Sequence, residues 1–267
     1  MGEPSPYQIG MQDAATPVAE NIHWFHNSLL LPIITAITVF VLALLLIVIF
    51  RYNKSANPVP SHNSHNTMLE VAWTLVPILI LVLIAVPSFK LLYKQYSYPK
   101  ADLVIKAIGN QWFWSYEYPD QGISFDSFML QDSDRQAMIG RGLEAPRLLA
   151  VDNEVVVPVD AVVHVMTTSR DVIHSWTIPS FGSKVDAVPG RLAATWFQAT
   201  RKGVFYGQCS ELCGKDHAFM PIAVRVVDKA VFDAWAAAQK AGDGDKAREI
   251  IEQAALADKP RSVAASQ

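Results

Sequence analysis

The sequence predicts a membrane α-helical hairpin of two transmembrane helices, followed by an all-β Greek-key domain. Three observations lead to this fold class. Of the 267 residues, 51% are hydrophobic and only 18% are charged, a balance that excludes a disordered protein. Two long uncharged runs lie near the N-terminus, and short β-rich runs separated by Pro and Gly follow from Ala101. The net charge of −3 argues against a nucleic-acid-binding protein, which is normally basic.

The two uncharged runs have the length of transmembrane helices. Leu29–Phe50 contains 22 residues and Val71–Phe89 contains 19. A helix rises ~1.5 Å per residue, so each run can cross most or all of a hydrocarbon core of about 30 Å. A buried helix of a soluble protein is the less favoured alternative. Residues 29–99 are therefore expected to form a transmembrane hairpin.

The distribution of basic residues orients this hairpin. Residues 1–28 contain no Lys or Arg, whereas the loop between the runs carries Arg51 and Lys54. Because short loops with an excess of Lys and Arg stay in the cytoplasm, both termini are expected outside, with residues 1–28 as an extracytoplasmic segment. The sequence leaves open whether a signal peptide has been removed or the first span is itself the export signal.

The chain after Ala101 has many short strands, which is typical of a Greek-key sandwich or barrel. The expected strands are Leu103–Ile108, Trp112–Tyr118, Leu148–Val151, Val155–Val159, Val162–Thr167, Val172–Ile178, Ala194–Ala199, Val204–Tyr206 and Ile222–Val227. Asp126–Arg147 is more polar and predicts a surface excursion, and Lys229–Lys240 predicts a helix. Residues 100–235 would form the β domain and residues 236–267 a C-terminal tail, of which Gly242–Gln267 is expected to be mobile or weakly helical.

One loop, Gly207–Pro221, gathers side chains that bind soft metals. Its candidate ligands are Cys209, Cys213, His217 and Met220. Thiolate and thioether ligands beside imidazole select copper over calcium or magnesium. A mononuclear electron-transfer copper needs one Cys, two His and a weak axial Met, and His174 can supply the second imidazole. One thiolate is then left over, which predicts a second metal ion.

Two simpler interpretations of this loop are less favoured. A disulfide between Cys209 and Cys213 is feasible outside the cytoplasm, but it leaves His217 and Met220 unexplained. Structural zinc favours CxxC pairs and closed Cys/His sets without a thioether. Two thiolates that bridge two copper ions would let both metals share one electron with little rearrangement of their ligands.

Together these motifs resemble cytochrome c oxidase subunit II. The resemblance covers about residues 20–235 and rests on the two apolar runs, the aromatic stretch Gln111–Tyr118, His174-Ser175-Trp176 and the C-x3-C-x3-H-x2-M loop. It implies a cupredoxin-like domain with a binuclear copper A centre, which accepts electrons from cytochrome c. Subunit I would receive them at haem and reduce oxygen to water, coupled to proton pumping. Subunits I and III and membrane lipid are the implied partners, in a multi-pass topology with the copper domain on the periplasmic side of a bacterial inner membrane.

The resemblance assigns ligands residue by residue. It implies copper ligation by the side chains of His174, Cys209, Cys213, His217 and Met220 and by the backbone carbonyl of Glu211. The Glu211 side chain would also help to hold a magnesium ion at the boundary with subunit I. One carboxylate suffices, because magnesium keeps several of its waters. Without the family pattern, Glu211 would be interpreted as a solvated loop acid.

The resemblance gives two further residues a function. Trp112 starts a strand whose alternate aromatic residues would normally be core, but the family pattern places it above the copper centre as the site of electron uptake. Glu70 would lie at the mouth of a proton channel in subunit I. Its simpler interpretation is a capping box in which Thr67 caps the second span.

Charge indicates where a basic partner would bind. Residues 101–190 hold twelve acidic and six basic residues, a local net charge of −6. Acidic surfaces attract basic proteins and raise their association rates. Glu117, Asp152 and Asp171 are therefore assigned to docking of cytochrome c, although each alone is typical of a solubilising charge.

Other function classes explain the sequence less well. A membrane-tethered copper chaperone also uses a CxxxC pair and a distal His, but it needs a thioredoxin-like βαβ pattern. An oxidase subunit that contacts quinol would lack the copper ligands, and nitrous oxide reductase carries a similar loop on a far larger propeller. The chain has no dense set of intramembrane His residues, so haem and the oxygen chemistry are expected only on the partner subunit.

Overall fold

The computed structural model describes residues 2–258. They divide into two compact units, one formed by residues 2–20 with residues 95–258 and the other by residues 21–94. Each unit is described by itself below.

Two long helices contain the expected spans. The first begins as α1 (Pro17–Trp24), passes through a π-helical turn (Phe25–Leu30) and continues as α2 (Leu31–Arg51). The second, α3, covers Thr67–Tyr96. Both helices are long and apolar enough to cross a membrane. Their apolar runs lie where the sequence predicted them, although the first helix begins well before its apolar run.

Capping explains where these helices begin. The Thr16 hydroxyl accepts a hydrogen bond from the Ala19 N–H at 3.0 Å, and Pro17 occupies the first helical position. At α3 the cap is Asn66, whose Oδ1 accepts from the N–H groups of Met68 and Leu69 at 3.1 and 3.2 Å. The prediction that Thr67 caps this helix is therefore wrong, because the amide side chain one residue earlier fulfils that role.

The second half of the chain is the expected β domain. It contains ten strands among the described residues: β1 (Leu103–Asn110), β2 (Phe113–Tyr118), β3 (Ile123–Ser127), β4 (Val155–Pro158), β5 (Val162–Ser169), β6 (His174–Ile178), β7 (Ser183–Ala187), β8 (Ala193–Gln198), β9 (Gly203–Gln208) and β10 (Pro221–Val227). They form a five-stranded sheet in the order β3-β2-β1-β5-β8, a three-stranded sheet β4-β10-β9 and a hairpin β6-β7. The β1–β5 and β4–β10 pairs are parallel and the others antiparallel.

Several local assignments differ from the sequence prediction. Strands β3 and β7 were not expected, and the expected strand Leu148–Val151 is reduced to a single bridge between Val151 and Met129. Each missed strand has five residues and only two apolar side chains, too few to establish the alternation of apolar and polar residues that indicates a strand. The surface excursion contains a helix, α4 (Asp132–Gly140).

The residues before the first helix belong to the β-domain unit. The Gly2 carbonyl accepts from the Tyr206 N–H at 3.0 Å. Ala15 donates to the Ser180 carbonyl at 2.8 Å and accepts from the Thr200 N–H at 2.9 Å. Backbone hydrogen bonds of this kind leave no hydrophobic pattern in the sequence. The sequence therefore predicted residues 1–28 as a separate segment and did not predict their pairing with the β domain.

The C-terminal region also differs from the expected tail. The helix α5 (Lys229–Lys240) confirms the predicted helix, and a second helix that was not expected, α6 (Gly244–Ala257), follows it. Ala247 and Ile251 of α6 are buried in the main core, because they recur on one face at helical spacing. Asp243 caps α6 through the Lys246 N–H. Residues 259–267 of the expected tail lie outside the described residues.

Candidate metal centre

The soft-ligand loop joins β9 to β10 and holds two buried thiols close together. The Sγ atoms of Cys209 and Cys213 lie 3.9 Å apart, and their exposed fractions are 6% and 3%. A disulfide bond is ~2.05 Å long, so these are free thiols. Together with His174 they place three potential ligand atoms within 4.8 Å of one another.

Imidazole, thioether and carbonyl groups surround the two thiols. His174, fully buried at the start of β6, directs Nδ1 to Cys209 Sγ at 3.8 Å. His217 Nδ1 lies 3.5 Å from Cys213 Sγ, and Met220 Sδ lies 3.5 Å from the same sulfur. The Glu211 carbonyl oxygen lies 3.4 Å from Cys209 Sγ. All six donors predicted from the sequence therefore converge on one place.

Two glycines allow this close packing. A Cβ on Gly109 of β1 would approach the His174 ring to 2.6 Å, so only glycine leaves room for the imidazole. Gly214 has φ +127°, a conformation that side chains rarely adopt, and a Cβ there would meet the Trp112 ring at 2.8 Å. The positions of His174 and Trp112 therefore depend on the close approach of the glycine backbone to their rings.

The groups around the thiols shift their ionisation in opposite directions. Burial opposes ionisation of Cys209, but hydrogen bonds from His174 and from the backbone outweigh it and lower the pKa of Cys209. Burial and the neighbouring Cys209 charge raise the pKa of Cys213. Two thiolates this close repel each other, and a bound cation would remove that penalty.

The donor set fits copper better than the alternatives. Two thiols, two imidazole nitrogens and a thioether are soft or intermediate ligands, which suit copper and not calcium or magnesium. A closed structural zinc site has four ligands and does not use thioether, whereas six donors converge here. The residues present therefore fit a copper site.

Comparisons with known proteins agree with this chemistry. The family model described as cytochrome c oxidase subunit II, periplasmic domain, matches residues 103–227, and the corresponding transmembrane-domain model matches residues 4–91. The chain belongs to the cytochrome c oxidase subunit II family. It is therefore a membrane protein and a subunit of cytochrome c oxidase, as the sequence predicted, and the chaperone alternative is not favoured. The fold class is confirmed as well.

Individual relatives are similar over most of the chain. A cytochrome c oxidase subunit 2 from Cereibacter sphaeroides is 48% identical over 88% of this chain and 81% of its own length. The protein of that name from Zea mays is 44% identical over 88% of this chain and 90% of its own. The crystal structure of the periplasmic domain of subunit II from Bradyrhizobium japonicum is 56% identical, covers 54% of this chain and 98% of its own, and has a TM-score of 0.49.

Trp112 lies against the ligand loop of this subunit. Its indole Nε1 donates to the Cys213 carbonyl at 3.2 Å, and its ring is half-buried. The preceding residue, Gln111, donates from Nε2 to the same carbonyl at 2.8 Å. The Lys215 ammonium lies 5.7 Å from the centre of the Trp112 ring. The family resemblance placed Trp112 near the copper centre, but it did not indicate any of these contacts.

Asp171 is the residue whose role the sequence missed. Its Oδ1 lies 2.8 Å from His174 Nε2 and its Oδ2 accepts from the Gln111 N–H at 2.7 Å. Burial opposes ionisation, but the hydrogen bonds from His174, Val172 and Gln111 outweigh it and lower the pKa of Asp171. The ionised carboxylate therefore orients the imidazole that points Nδ1 at Cys209. The sequence pattern D-x-x-H was the available signal.

The other predicted site side chains contact groups outside the sulfur cluster. Glu117 pairs with Lys106 at 3.1 Å, and Asp152 accepts from the Phe128 N–H at 2.7 Å. The exposed Glu211 side chain lines a cavity of about 500 Å³. Glu70 lies in the first turn of α3, in the other compact unit.

Proposed function

We propose that this subunit accepts electrons from cytochrome c at a binuclear copper A centre and passes them to haem in subunit I. There oxygen is reduced to water, coupled to proton pumping. The observation that carries the proposal is the convergence of two thiols, two imidazoles, a thioether and a carbonyl within one buried loop. When bound, the copper pair would supply a one-electron acceptor that gives up its electron with little change in geometry.

The chain itself holds and orients the ligands. The side chains of Cys209, Cys213, His174 and His217 would hold the copper ions, with the Met220 thioether and the Glu211 carbonyl as weaker donors. Asp171 keeps the His174 ring in the orientation that leaves Nδ1 free. Burial of the thiols and of Met220, which is 1% exposed, excludes water from the sulfur ligands.

Electron uptake is assigned to Trp112. The Trp112 indole is half-buried and therefore partly accessible to solvent, and it donates its N–H to the carbonyl of a proposed ligand, Cys213. This contact supports a short covalent and hydrogen-bonded path from the ring to the thiolate. Glu117, Asp152 and Asp171 would attract the basic cytochrome, although Asp171 also holds His174 and Glu117 is partly neutralised by Lys106.

A second metal and a proton path are proposed from the family pattern. The Glu211 carboxylate is exposed beside a polar cavity, as a ligand to magnesium shared with subunit I would need to be. Glu70 would collect protons at the opposite end of the α3 span. The proposed partners are subunit I, subunit III, cytochrome c and lipid.

The proposed topology follows the expected domains. Residues 1–28 would be extracytoplasmic, residues 29–99 a two-span hairpin, residues 100–235 a cupredoxin-like domain on the periplasmic side of a bacterial inner membrane, and residues 236–267 the C-terminal segment. The length and exposure of α2 and α3 support two crossings. The helices α5 and α6 pack against the core of the β domain, so the C-terminal segment extends that domain.

Metal analysis with EPR of the assembled oxidase tests the central proposal. The copper A site should contain two copper ions and give a hyperfine pattern from an electron shared between them. Cys209→Ser or Cys213→Ser should abolish that pattern, whereas Met220→Leu should keep both ions and shift the reduction potential, because thioether is the weaker ligand. Met166→Leu, remote from the cluster on β5, is the matched control. A single-copper pattern would refute the proposal.

Electron uptake and proton uptake have separate tests. Trp112→Ala should keep the copper spectrum but severely slow electron transfer from cytochrome c, and normal transfer would remove the assignment. Because Asn66 caps α3, both Glu70→Gln and Glu70→Ala leave the cap intact. Both variants should assemble normally yet reduce oxygen slowly. Turnover like that of the parent would exclude a proton role for Glu70.

A further inference from the structure

Gln111 makes a contact that the assigned ligands and Trp112 do not account for. Its side-chain Nε2 donates to the Cys213 carbonyl at 2.8 Å, and Trp112 Nε1 donates to the same oxygen at 3.2 Å. A carbonyl oxygen has two lone pairs, and here two consecutive residues use both. The orientation of this carbonyl therefore depends on Gln111 as much as on the indole.

Gln111 is fixed at its backbone as well. Its N–H donates to Asp171 Oδ2 at 2.7 Å, while Asp171 Oδ1 lies 2.8 Å from His174 Nε2. One residue thus links the carboxylate that orients His174 to the carbonyl of Cys213. It joins both ends of the proposed ligand set without itself offering a metal-ligating atom to the cluster.

Packing against the loop completes the arrangement. A Cβ on Gly214 would approach Trp112 Cζ2 to 2.8 Å and Gln111 Nε2 to 3.2 Å, so both side chains rest directly on the loop backbone. Gln111 is exposed, and its amide therefore contributes nothing to the hydrophobic core. Its contacts serve the position of Trp112 and of the carbonyl that both side chains share.

We infer that Gln111 is a positioning residue for electron uptake, holding the Cys213 carbonyl in the orientation that receives the Trp112 N–H. The inference rests on the proposed function. Without the Gln111 amide, the Cys213 carbonyl keeps only the Trp112 N–H as a donor. Loss of one neutral hydrogen bond lowers the population in which this carbonyl has the orientation that receives the indole by about 3- to 10-fold. Small displacements of a reacting group lower rates steeply.

The test uses variants that change only the amide. Gln111→Met keeps the length and removes the donor, and Gln111→Glu places a carboxylate opposite the carbonyl. Gln136→Met is the matched control, because Gln136 is exposed on α4. In the assembled oxidase we expect unchanged copper content and copper spectrum, an unchanged KM for cytochrome c, and electron uptake about 3- to 10-fold slower in Gln111→Met. Gln111→Glu should be slower still.

A second readout does not depend on the metal. The metal-free full chain labelled with 5-fluorotryptophan gives a fluorine resonance for Trp112, assigned by its disappearance in Trp112→Phe. Both Gln111 variants should shift or broaden that resonance alone, and Gln136→Met should leave it unchanged. A parent-like resonance with parent-like electron uptake would overturn the inference, and so would loss of copper in Gln111→Met, which would make Gln111 part of the metal-holding structure.

The outcomes separate this inference from the proposed function. A parent oxidase without the two-copper spectrum, or with electron uptake unaffected by Trp112→Ala, contradicts the proposed function. A parent that shows both properties, combined with Gln111 variants that match it, contradicts only the positioning role.

Discussion

Replacing Asp171 by Asn removes a charge from the group that orients His174. The carboxylate uses Oδ1 for His174 Nε2 at 2.8 Å and for the Val172 N–H at 2.6 Å, and Oδ2 for the Gln111 N–H at 2.7 Å. An amide has one oxygen and one NH2 group, so it can accept on one side only. In either orientation of this amide, its NH2 group faces the N–H of His174 or the N–H of Gln111, so two donors meet without an acceptor.

The magnitude follows from the kind of bond that is lost. A hydrogen bond to a charged group contributes ~1.5–3 kcal/mol. Loss of such a partner behind a metal-binding histidine lowers metal affinity by roughly 10- to 100-fold. His174 is fully buried, so water does not replace the lost acceptor. We therefore expect Asp171→Asn to bind copper roughly 10- to 100-fold more weakly than the parent.

Competition of the full chain with a copper chelator measures this change. Glu117→Gln is the control, because Glu117 is also an assigned docking acid but pairs with Lys106 and not with His174. If Asp171→Asn keeps the parent's copper affinity, the reasoning is refuted. If it only weakens the salt dependence of the KM for cytochrome c, Asp171 is a docking acid and not an orienting group.

Two further perturbations test the fold and its charges. Tyr118→Phe removes a fully buried hydroxyl that bonds both the N–H and the carbonyl of Val156, at 2.9 and 3.0 Å, and should cost about 2–4 kcal/mol of unfolding free energy. Thermal unfolding measures this loss. Tyr116→Phe is the control and should lose less, because among the described residues the buried Tyr116 hydroxyl makes no backbone hydrogen bond like those of Tyr118; equal losses would contradict the assignment. Burial raises the pKa of Asp152, and the N–H groups of Phe128 and Asn153 oppose this rise. Because the pKa is higher in the folded chain, protonated Asp152 stabilises the fold, and this stabilisation is lost as the pH rises through the folded pKa. Asp152→Asn should therefore raise the unfolding midpoint at neutral pH but not below pH ~4, and a lower midpoint at neutral pH would exclude this explanation.

Local features of the sequence determined the broad architecture and the identity of the ligands. The apolar runs of α2 and α3 depend only on consecutive side chains, because the length of a hydrophobic helix alone decides whether it can cross a bilayer. Five of the six proposed donors, including the Glu211 carbonyl, lie within twelve residues, from Cys209 to Met220. A metal loop of this kind is legible because its ligand types and spacing are chemically specific.

Helix ends, terminal segments and weak strands were harder to predict. Asn66 and Thr67 are both good capping residues, and only the backbone geometry shows that Asn66 accepts the first N–H groups of α3. α6 has 14 residues, a length at which an isolated helix is marginal in water, so its helical state depends on burying Ala247 and Ile251 against the core. Residues 2–16 join the β domain through backbone hydrogen bonds, which any sequence can make.

Only the tertiary structure decided how the surroundings of the site are connected. Asp171 reaches Gln111 across 60 positions, and Gln111 reaches Cys213 across 102. The parallel pairing of β1 with β5 and the start of β6 at His174 place these distant residues side by side. The identity of a ligand is a property of one side chain, whereas its orientation depends on partners that the chain brings together only when it folds.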